Sequence, residues 1–305
     1  MANKYIEVLK GAAKKSPYKT MDIGTGVIQT LSGNSTLIYH CDISGDGEYE
    51  IDALDMLGMD IAADISSYRK GDRNWKVPTH QTTMSGTLPK DLIKDLSKAA
   101  KFVSKDKFRP ILQQIHLEGG EIWATDGYRA SIDHNDSIKE ITADLSIDHV
   151  AIMKKIGGDW EIHAGEGFYQ LTNGTLEIWG YGNPGTFPRM RAVVGVERLT
   201  TDTKILLPYK AIKGALEKHN QVQIQEDGTI IVNFRPLPVK ATIEKEDHVY
   251  GENDSMLVLM PLEGGDGQTI TAVDADLLKH YPTDKDGNLA IRVKGKKPGI
   301  LFVVQ

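Results

Sequence analysis

The 305-residue chain has a single cysteine, Cys41, and no long apolar segment. One thiol cannot form an intrachain disulfide, and alone it cannot build a thiolate metal site. No apolar run reaches the roughly 18 to 20 residues that a membrane helix requires, and the N-terminal MANKYIEVLKGAAKKS lacks the continuous apolar stretch of a signal peptide. These absences exclude a disulfide scaffold and favour a cytoplasmic protein that does not interact with a membrane.

The chain also has fewer positive than negative side chains. It contains 36 Lys and Arg and 42 Asp and Glu, which give a formal net charge of −6. A uniformly basic coat for nucleic acid is therefore excluded, and a polyanionic partner would have to meet a local patch. The remaining composition, with 40% hydrophobic and 26% charged residues, is typical of globular proteins. At about 100 to 200 residues per domain, the length allows two or three domains.

Motifs of the common enzyme classes are missing. The sequence contains no H-E-x-x-H pair, no G-x-S-x-G elbow and no P-loop. The string GYGNPG, from Gly180 to Gly185, has the spacing of a dinucleotide fingerprint, but Pro184 and an extended segment stand where a helix should start. The acidic run DISGDGEYEID, which begins at Asp42, has Ala53 at the position where an EF-hand carries its bidentate carboxylate. We therefore predict no cofactor and no metal site.

Three titratable residues, Asp126, His134 and Asp144, could be assembled into an acid/base group. No positioning motif accompanies them. The sequence therefore favours a protein that is not an enzyme, and a hydrolase that uses these residues is the alternative.

A unit of one short amphipathic helix followed by two or three strands recurs along the chain. Four copies begin at Ser85, Ala143, Lys204 and Gln268, and Gly-Gly, Asn-Gly and Asp-Gly pairs mark hairpin turns between their strands. Two further helices are predicted before residue 85, from NKYIEVLKGAAKK and IDALDMLG. Six units taken in pairs predict an α+β fold of three domains. The domains span 1–84, which is unusually short, 85–200 and 201–305.

Lysine is concentrated on the predicted helices, which span residues 3–15, 51–58, 88–107, 147–156, 207–219 and 273–281. Together they hold 16 Lys, 10 Asp or Glu and no Arg, although the whole chain is acidic. In the third helix, five lysines from Lys90 to Lys105 fall within one ~80° stripe, opposite Leu92 and Leu96. Lysine on a flexible stem suits phosphate contacts that read no base sequence. A solvated helix face without a partner is the alternative.

The most specific string is ATDGYRASI, from Ala124 to Ile132. It follows FRPILQQIHLEGGEIW and precedes GTFPRMRAVV, which ends at Val194. These segments resemble the middle domain of the bacterial sliding clamp, the beta subunit of DNA polymerase III. In that family a helix, an R-P-[IVL]-L segment, an A-T-D-[GS]-[HY]-R-L-A turn and an F-P-x-[YM]-R segment occur in the same order. The resemblance is sharp over 85–196, fair over 203–305 and weak before residue 80.

The resemblance implies the DNA clamp fold, in which repeated units of a helix and antiparallel strands form a ring with helices inside and sheets outside. Twelve units close such a ring, so six units per chain imply a homodimer and four imply a trimer. The ring would encircle double-stranded DNA without reading its sequence and act as the processivity factor of a DNA polymerase. The residues that would then face DNA are Lys90, Lys94, Lys98, Lys101, Lys105, Lys154, Lys155, Lys210 and Lys213.

The resemblance also implies a peptide-binding cleft. Such a cleft accepts a short apolar and aromatic peptide from the polymerase, the clamp loader or a repair protein. Carried over position by position, its residues are Leu112, Thr125, Gly127, Tyr128, Arg129, Pro188 and Val193, with Val303 and Val304 from the last strand.

The chain departs from the family's pattern in three respects. Ala130 replaces the family's Leu after the turn arginine, and Ala192 replaces a second cleft arginine, which implies a wider or less charged pocket. The family's Met-Pro-Met-Arg-Leu tail is missing, and a similar string, LMPLEGG, begins instead at Leu259. A shortened, divergent clamp of this kind is more typical of a phage or prophage. The alternative among binding proteins is a monomeric clamp-fold adaptor that binds peptides and does not encircle DNA.

Overall fold

Short helices alternate with antiparallel strands along the chain in the computed structural model. The structure describes residues 3–33, 35–72, 78–194, 200–216, 221–250, 254–259, 269–279, 281–293 and 301–303. This arrangement confirms the α+β class. The backbone groups into two compact units: unit 1 comprises Met1–Ala100, Gln114–Glu121 and Asn135–Gly185, and unit 2 comprises Lys101–Gln113, Ile122–His134 and Thr186–Gln305. The three-domain division at residues 84 and 200 stays a prediction.

The described residues form seven α-helices, and six of them lie where helices are predicted. Their bounds are α1 (Lys4–Ala13), α2 (Ala53–Met59), α3 (Lys90–Ala99), α4 (Ile147–Ile156), α5 (Met190–Val194), α6 (Tyr209–Ile212) and α7 (Ala275–Leu278). None of these described helices is long and apolar enough to cross a membrane.

The third predicted helix is shorter than its pattern suggests. Residues 88–107 are predicted as one helix, but α3 ends at Ala99 and a single 3-10 turn continues it to Phe102. The N–H of Ser104 then donates to the Leu112 carbonyl at 2.8 Å, so the chain leaves the helix axis. Lys105 therefore lies in a loop beyond the helix, which corrects the predicted five-lysine stripe.

The described strands number 22. They are β1 (Thr20–Gly24), β2 (Val27–Ser32), β3 (Ser35–His40), β4 (Gly47–Glu50), β5 (Arg69–Gly71), β6 (Met84–Leu88), β7 (Gln114–Glu118), β8 (Glu121–Thr125), β9 (Arg129–His134), β10 (Thr142–Ser146), β11 (Trp160–Gly165), β12 (Phe168–Thr172), β13 (Leu176–Tyr181), β14 (Thr200–Leu207), β15 (Gln221–Gln225), β16 (Thr229–Val232), β17 (Arg235–Lys240), β18 (Thr242–Val249), β19 (Met256–Leu259), β20 (Thr269–Asp274), β21 (Leu289–Val293) and β22 (Leu301–Val303).

Unit 1 contains a nine-stranded antiparallel sheet in the order β5-β4-β1-β2-β3-β13-β12-β11-β6. The N-terminal strands join those of residues 160–181 where β3 pairs with β13, with Thr36 opposite Trp179. Helix α1 packs on β2 and β3 and contacts both α2 and α4, and α4 contacts α3. The four helices thus form a row in the order α2, α1, α4, α3.

Helix α3 shows why this row has two chemically different faces. Its apolar residues Leu92, Ile93 and Leu96 are at most 2% exposed, whereas its lysines are exposed. The amphipathic pattern of the sequence is therefore confirmed for this helix. Its first N–H group, that of Lys90, donates to Asp159 Oδ1 at 2.8 Å, which satisfies one of the open donors at the helix start.

Unit 2 contains two antiparallel arrangements. One contains the strands β8-β9-β19-β22-β21-β14-β18 in this order, and the other is a four-stranded sheet in the order β17-β16-β15-β20. The first carries a cluster of buried side chains that includes Trp123, Ile132, Met190, Tyr250 and Val258. These side chains form the apolar base on which the candidate site is built.

A buried tyrosine and histidine organise the interior of unit 1. The Tyr169 ring lies across β13 at Gly180, where a Cβ atom would come within 2.4 Å of the ring. The N–H of Ser146 donates to the Tyr169 hydroxyl at 2.9 Å, and that hydroxyl lies 2.8 Å from His149 Nδ1. Gly180 of the GYGNPG string therefore makes room for an aromatic ring.

This arrangement predicts a pH-dependent stability. Burial lowers the pKa of His149 from 6.5 to about 4, because a protonated ring would sit in an apolar interior and would no longer accept the Tyr169 proton. Between these two pH values the unfolded chain binds a proton that the folded chain does not. Above pH 6.5, His149 is neutral in both states and does not change the free energy of unfolding. As the pH drops from 6.5 to about 4, we expect the free energy of unfolding to fall by about 3 kcal/mol.

Urea titrations across this pH window measure the effect. His149→Gln should flatten the pH dependence, whereas His163→Gln, at a partly exposed position of β11, should leave it intact. The same slope in the wild type and in His149→Gln would contradict the assignment.

Candidate functional site

Unit 2 contains a pocket of about 140 Å³. Four separate chain segments line it: the 3-10 turn before β7, the turn between β8 and β9 with its flanking residues, the residues around α5, and β19. The lining residues are Leu112, Thr125, Gly127, Tyr128, Arg129, Ala130, Pro188, Met190, Val193 and Val258. Seven of the nine residues predicted for a cleft thus meet in one cavity.

The turn between β8 and β9 is shaped by its own side chains. Thr125 Oγ1 donates to the Arg129 carbonyl at 2.7 Å and accepts from the Gly127 N–H at 3.0 Å. Asp126 Oδ1 accepts from the N–H groups of Tyr128 (2.9 Å) and Arg129 (2.8 Å). Gly127 has φ +91°, a conformation in which a side chain is strained. The string T-D-G-Y-R therefore specifies one rigid turn.

Arg129 is 9% exposed and holds this turn from within. Its Nε and Nη2 lie 2.9 and 2.8 Å from Asp126 Oδ2, and Nη2 also reaches the Lys101 carbonyl at 3.4 Å. The guanidinium lies 5.3 Å from the centre of the Phe102 ring. Its Nη1 is buried and has no hydrogen-bond partner within the described part of the chain. Arg129 therefore positions the turn and leaves one donor unused beside the pocket.

The base of the pocket is a pair of strands. Ala130 on β9 is opposite Val258 on β19. The Tyr281 hydroxyl donates to the Val258 carbonyl at 2.8 Å, and the Tyr281 ring meets Phe102 edge to face at 5.4 Å. Burial raises the pKa of Tyr281, so the phenol keeps its proton and remains a donor. The strand under the pocket and the Arg129 turn are thereby tied to the same aromatic pair.

The outer wall of the pocket comes from α5, a short helix for which the sequence analysis makes no prediction. Met190 is buried, whereas Val193 is 61% exposed, and Tyr128 on the opposite rim is 60% exposed. The Met-Arg-Ala-Val-Val run after Pro188 is a signal that could have indicated a short helix, since proline is frequent just before or at a helix start. Met190 and Val258 are lining residues that the sequence interpretation missed.

The last predicted members of the cleft are only partly described. The backbone of Val303 on β22 pairs with Leu257 and Ile291. Val304 lies outside the described residues. So does the LMPLEGG string beyond Leu259, which is the last described residue of β19.

All nine lysines predicted to face DNA are exposed. Lys90, Lys94 and Lys98 lie on α3, and Lys101 lies on the following 3-10 turn. Lys154 and Lys155 lie in the last turn of α4, Lys210 lies on α6, and Lys213 begins the 3-10 turn after it.

Acidic side chains accompany part of this lysine set. Lys94 Nζ is 2.6 Å from Asp91 Oδ1, and Lys98 Nζ is 2.8 Å from Asp95 Oδ1. The hydrogen bond from Lys94 holds the pKa of Asp91 below its ordinary value. Such exposed pairs contribute little to stability, because water and salt screen them, so a phosphate can replace the carboxylate with little loss of free energy.

The alternative acid/base group has other structural partners. Asp126 is occupied by Arg129, and Asp144 Oδ1 lies 2.7 Å from His116 Nδ1. Among the described residues, no group of three or more His, Cys, Asp or Glu is placed to hold a metal ion. Burial raises the pKa of the Cys41 thiol to about 11, with Asp42 adding to the effect, so this thiol stays protonated at neutral pH. Asp126 and Asp144 are therefore engaged in contacts with Arg129 and His116, respectively.

No protein-family model and no curated protein sequence matches the chain. Solved structures do match. The DNA polymerase III beta subunit of Thermotoga maritima shares 15% identity and a TM-score of 0.64 over 99% of this chain and 95% of that one. A sliding clamp from Bartonella birtlesii, solved with griselimycin bound, shares 13% identity and a TM-score of 0.65 over 99% and 96%. The beta subunit of Pseudomonas aeruginosa shares 12% identity and a TM-score of 0.62 over 99% and 96%.

These structures cover nearly the whole chain, including the N-terminal 80 residues in which the sequence resemblance is weak. The resemblance expected from the T-D-G-Y-R turn and its neighbours is confirmed at the level of the fold. This chain has the sliding-clamp fold of the DNA polymerase III beta subunits.

Proposed function

We propose that the protein is a DNA polymerase processivity factor that encircles duplex DNA and tethers its partners through the pocket in unit 2. The observation that carries the proposal is the meeting of Leu112, the T-D-G-Y-R turn, Pro188 and Val193 around one cavity. These segments lie far apart in the sequence and are the ones on which the clamp resemblance rests. Under this proposal the protein is not an enzyme, works in the cytoplasm and has a phage or prophage origin.

The DNA part of the proposal rests on the exposed lysines. All of them except Lys105 are carried by short helices and the 3-10 turns that continue them, in a chain that is acidic overall, so positive charge is concentrated on one type of element. Ammonium groups on flexible stems suit mobile contacts with phosphates, which permit sliding. A duplex threaded through a closed ring is retained by topology, and weak contacts are then sufficient. Six helix-and-strand units per chain favour a head-to-tail homodimer, and a trimer is the alternative.

The partner part of the proposal rests on the pocket. Its base is apolar, and its rim carries the exposed Tyr128 and Val193. Apolar or aromatic anchors from a short peptide would fill it. A polymerase and a clamp loader that carry such peptides are the proposed partners.

A monomeric peptide-binding adaptor is the second candidate. The observation that favours it is that unit 2 alone supplies every residue of the pocket, so peptide binding requires no second copy.

The two candidates differ in assembly. Light scattering after gel filtration should give about twice the 33.7 kDa chain mass for the proposed dimeric ring, and low-resolution images should show a central hole. A species with the mass of one chain at micromolar concentration would contradict the ring and support the adaptor.

The lysine assignment is tested by salt dependence. Replacing Lys94, Lys98 and Lys101 by Gln should reduce the slope of log affinity for duplex DNA against log salt by about 0.9 for each phosphate that the variant no longer neutralises. The matched control replaces Lys70, Lys139 and Lys240, which are equally exposed but outside the proposed DNA-facing set. Fluorescence anisotropy measures both. An unchanged slope in the first variant, or an equal reduction in the control, would refute the assigned surface.

The pocket assignment is tested at its rim. Val193→Glu should weaken binding of a labelled hexapeptide with adjacent Leu and Phe by roughly tenfold or more, about 1.4 kcal/mol, because a carboxylate would be desolvated there. Val249→Glu is the matched control, since Val249 is 66% exposed and does not line the pocket. Duplex affinity should stay unchanged in both. Equal peptide affinity in the two variants would contradict the assignment.

A further inference from the structure

The loop that follows the 3-10 turn after α3 displays an aromatic ring among cations. Lys105, Lys107, Phe108 and Arg109 are all exposed, and Phe108 is 95% exposed. A single exposed aromatic is ordinary by itself. Here it stands between three positive charges in a chain with a net charge of −6.

Hydrogen bonds hold this loop in one shape. The Ser104 N–H donates to the Leu112 carbonyl (2.8 Å) and closes the loop at its base. Ser104 Oγ accepts from the Asp106 N–H (3.0 Å), and Asp106 Oδ1 accepts from the Phe108 N–H (2.9 Å). Gln113 Nε2 donates to the Asp106 carbonyl at 2.9 Å. The ring is therefore presented outward by a fixed backbone, with little ordering left for a ligand to impose.

The charge of the loop is positive toward solvent. Asp106 is its only acidic residue, and this carboxylate is turned to the loop's own backbone, 3.7 Å from Arg109 Nε. Lys105 and Lys107 flank it. A ligand that meets this loop would thus find an aromatic face with ammonium groups beside it.

We propose that this loop binds single-stranded nucleic acid, with Phe108 stacked on an unpaired base and Lys105 and Lys107 contacting the adjacent phosphates. Proteins that bind single strands combine aromatic side chains with cations. The aromatic ring stacks on the π face that every base has, and the cations contact the negative phosphate of each linkage. In a duplex the base faces are covered by neighbouring pairs, so the ring can stack only where a strand is unpaired.

Two other partners fit the loop less well. A membrane surface favours several apolar side chains together. Here Ile111 and Leu112 pack against the core of unit 2, and Phe108 is the only apolar side chain in the exposed stretch 105–109. Duplex contact by the proposed ring uses phosphates alone and gives the phenyl group no role. The inference therefore goes beyond the proposed function and does not depend on encirclement.

Fluorescence anisotropy of a labelled oligothymidylate with the full-length protein tests the proposal. Phe108→Ala should weaken binding by on the order of tenfold, and Phe108→Trp should restore it with quenching of the added indole fluorescence by the stacked base. The matched control is Phe234→Ala, because Phe234 is 88% exposed in a different turn of unit 2. When Lys105→Gln and Lys107→Gln are added to Phe108→Trp, the salt dependence of binding should fall and the quenching of the added indole should remain.

An abasic strand of equal length separates stacking from charge. It keeps the phosphates, so the wild type and Phe108→Ala should bind it equally. Weaker abasic binding in Phe108→Ala, or unchanged oligothymidylate binding, would overturn the proposal. Vesicles of phosphatidylcholine with phosphatidylserine test the membrane alternative, and binding to them that requires Phe108 while oligothymidylate binding does not would favour that alternative instead.

Discussion

The ion pair between the buried Arg129 and the partly buried Asp126 is the interaction on which the candidate site depends. Asp126 binds the backbone of the turn with one oxygen and the guanidinium with the other, so a single carboxylate fixes both. Removing Asp126 would leave the buried guanidinium without its counter-ion, which is destabilising. The same guanidinium packs on Phe102, which meets Tyr281, whose hydroxyl holds the strand beneath the pocket. Pocket shape is therefore a property of this network.

Positively charged side chains have two different roles in this protein: one holds structure, and the others are exposed to solvent. Arg129 is charged but is committed to holding the turn, apart from one buried donor atom. The lysines of α3 are equally charged but exposed, and their carboxylate neighbours are one turn away on the same helix. Exposed pairs of this kind are weak and exchange easily. The proposed peptide pocket and the proposed phosphate-contacting surface are both compatible with one acidic chain, because the buried cation holds the turn and the exposed cations stay accessible to a ligand.

Several elements followed from local pattern alone. The six predicted helices lie where amphipathic periodicity places them, since a 3.6-residue repeat of Leu, Ile and Lys is compatible with only one secondary structure. The turn at Asp126 and Gly127 was equally legible, because Asp, Gly and Thr have specific turn chemistry. The predicted end of the third helix was wrong, and α5 was not predicted, for a common reason. The chain leaves the helix after Phe102, where the Ser104 N–H bonds to the Leu112 carbonyl, and α5 depends on packing of Met190 in the core of unit 2.

By itself the sequence determined the class of the fold, the places of six described helices, the concentration of lysine on several of them and the turn beside the pocket. These are consequences of period, charge and turn propensity over a few residues. Only the tertiary structure decided that Leu112, Pro188 and Val193 meet around that turn, that Arg129 is buried, and that Phe108 is exposed. Burial and contact depend on which distant segments pack together, and no short stretch of sequence contains that information.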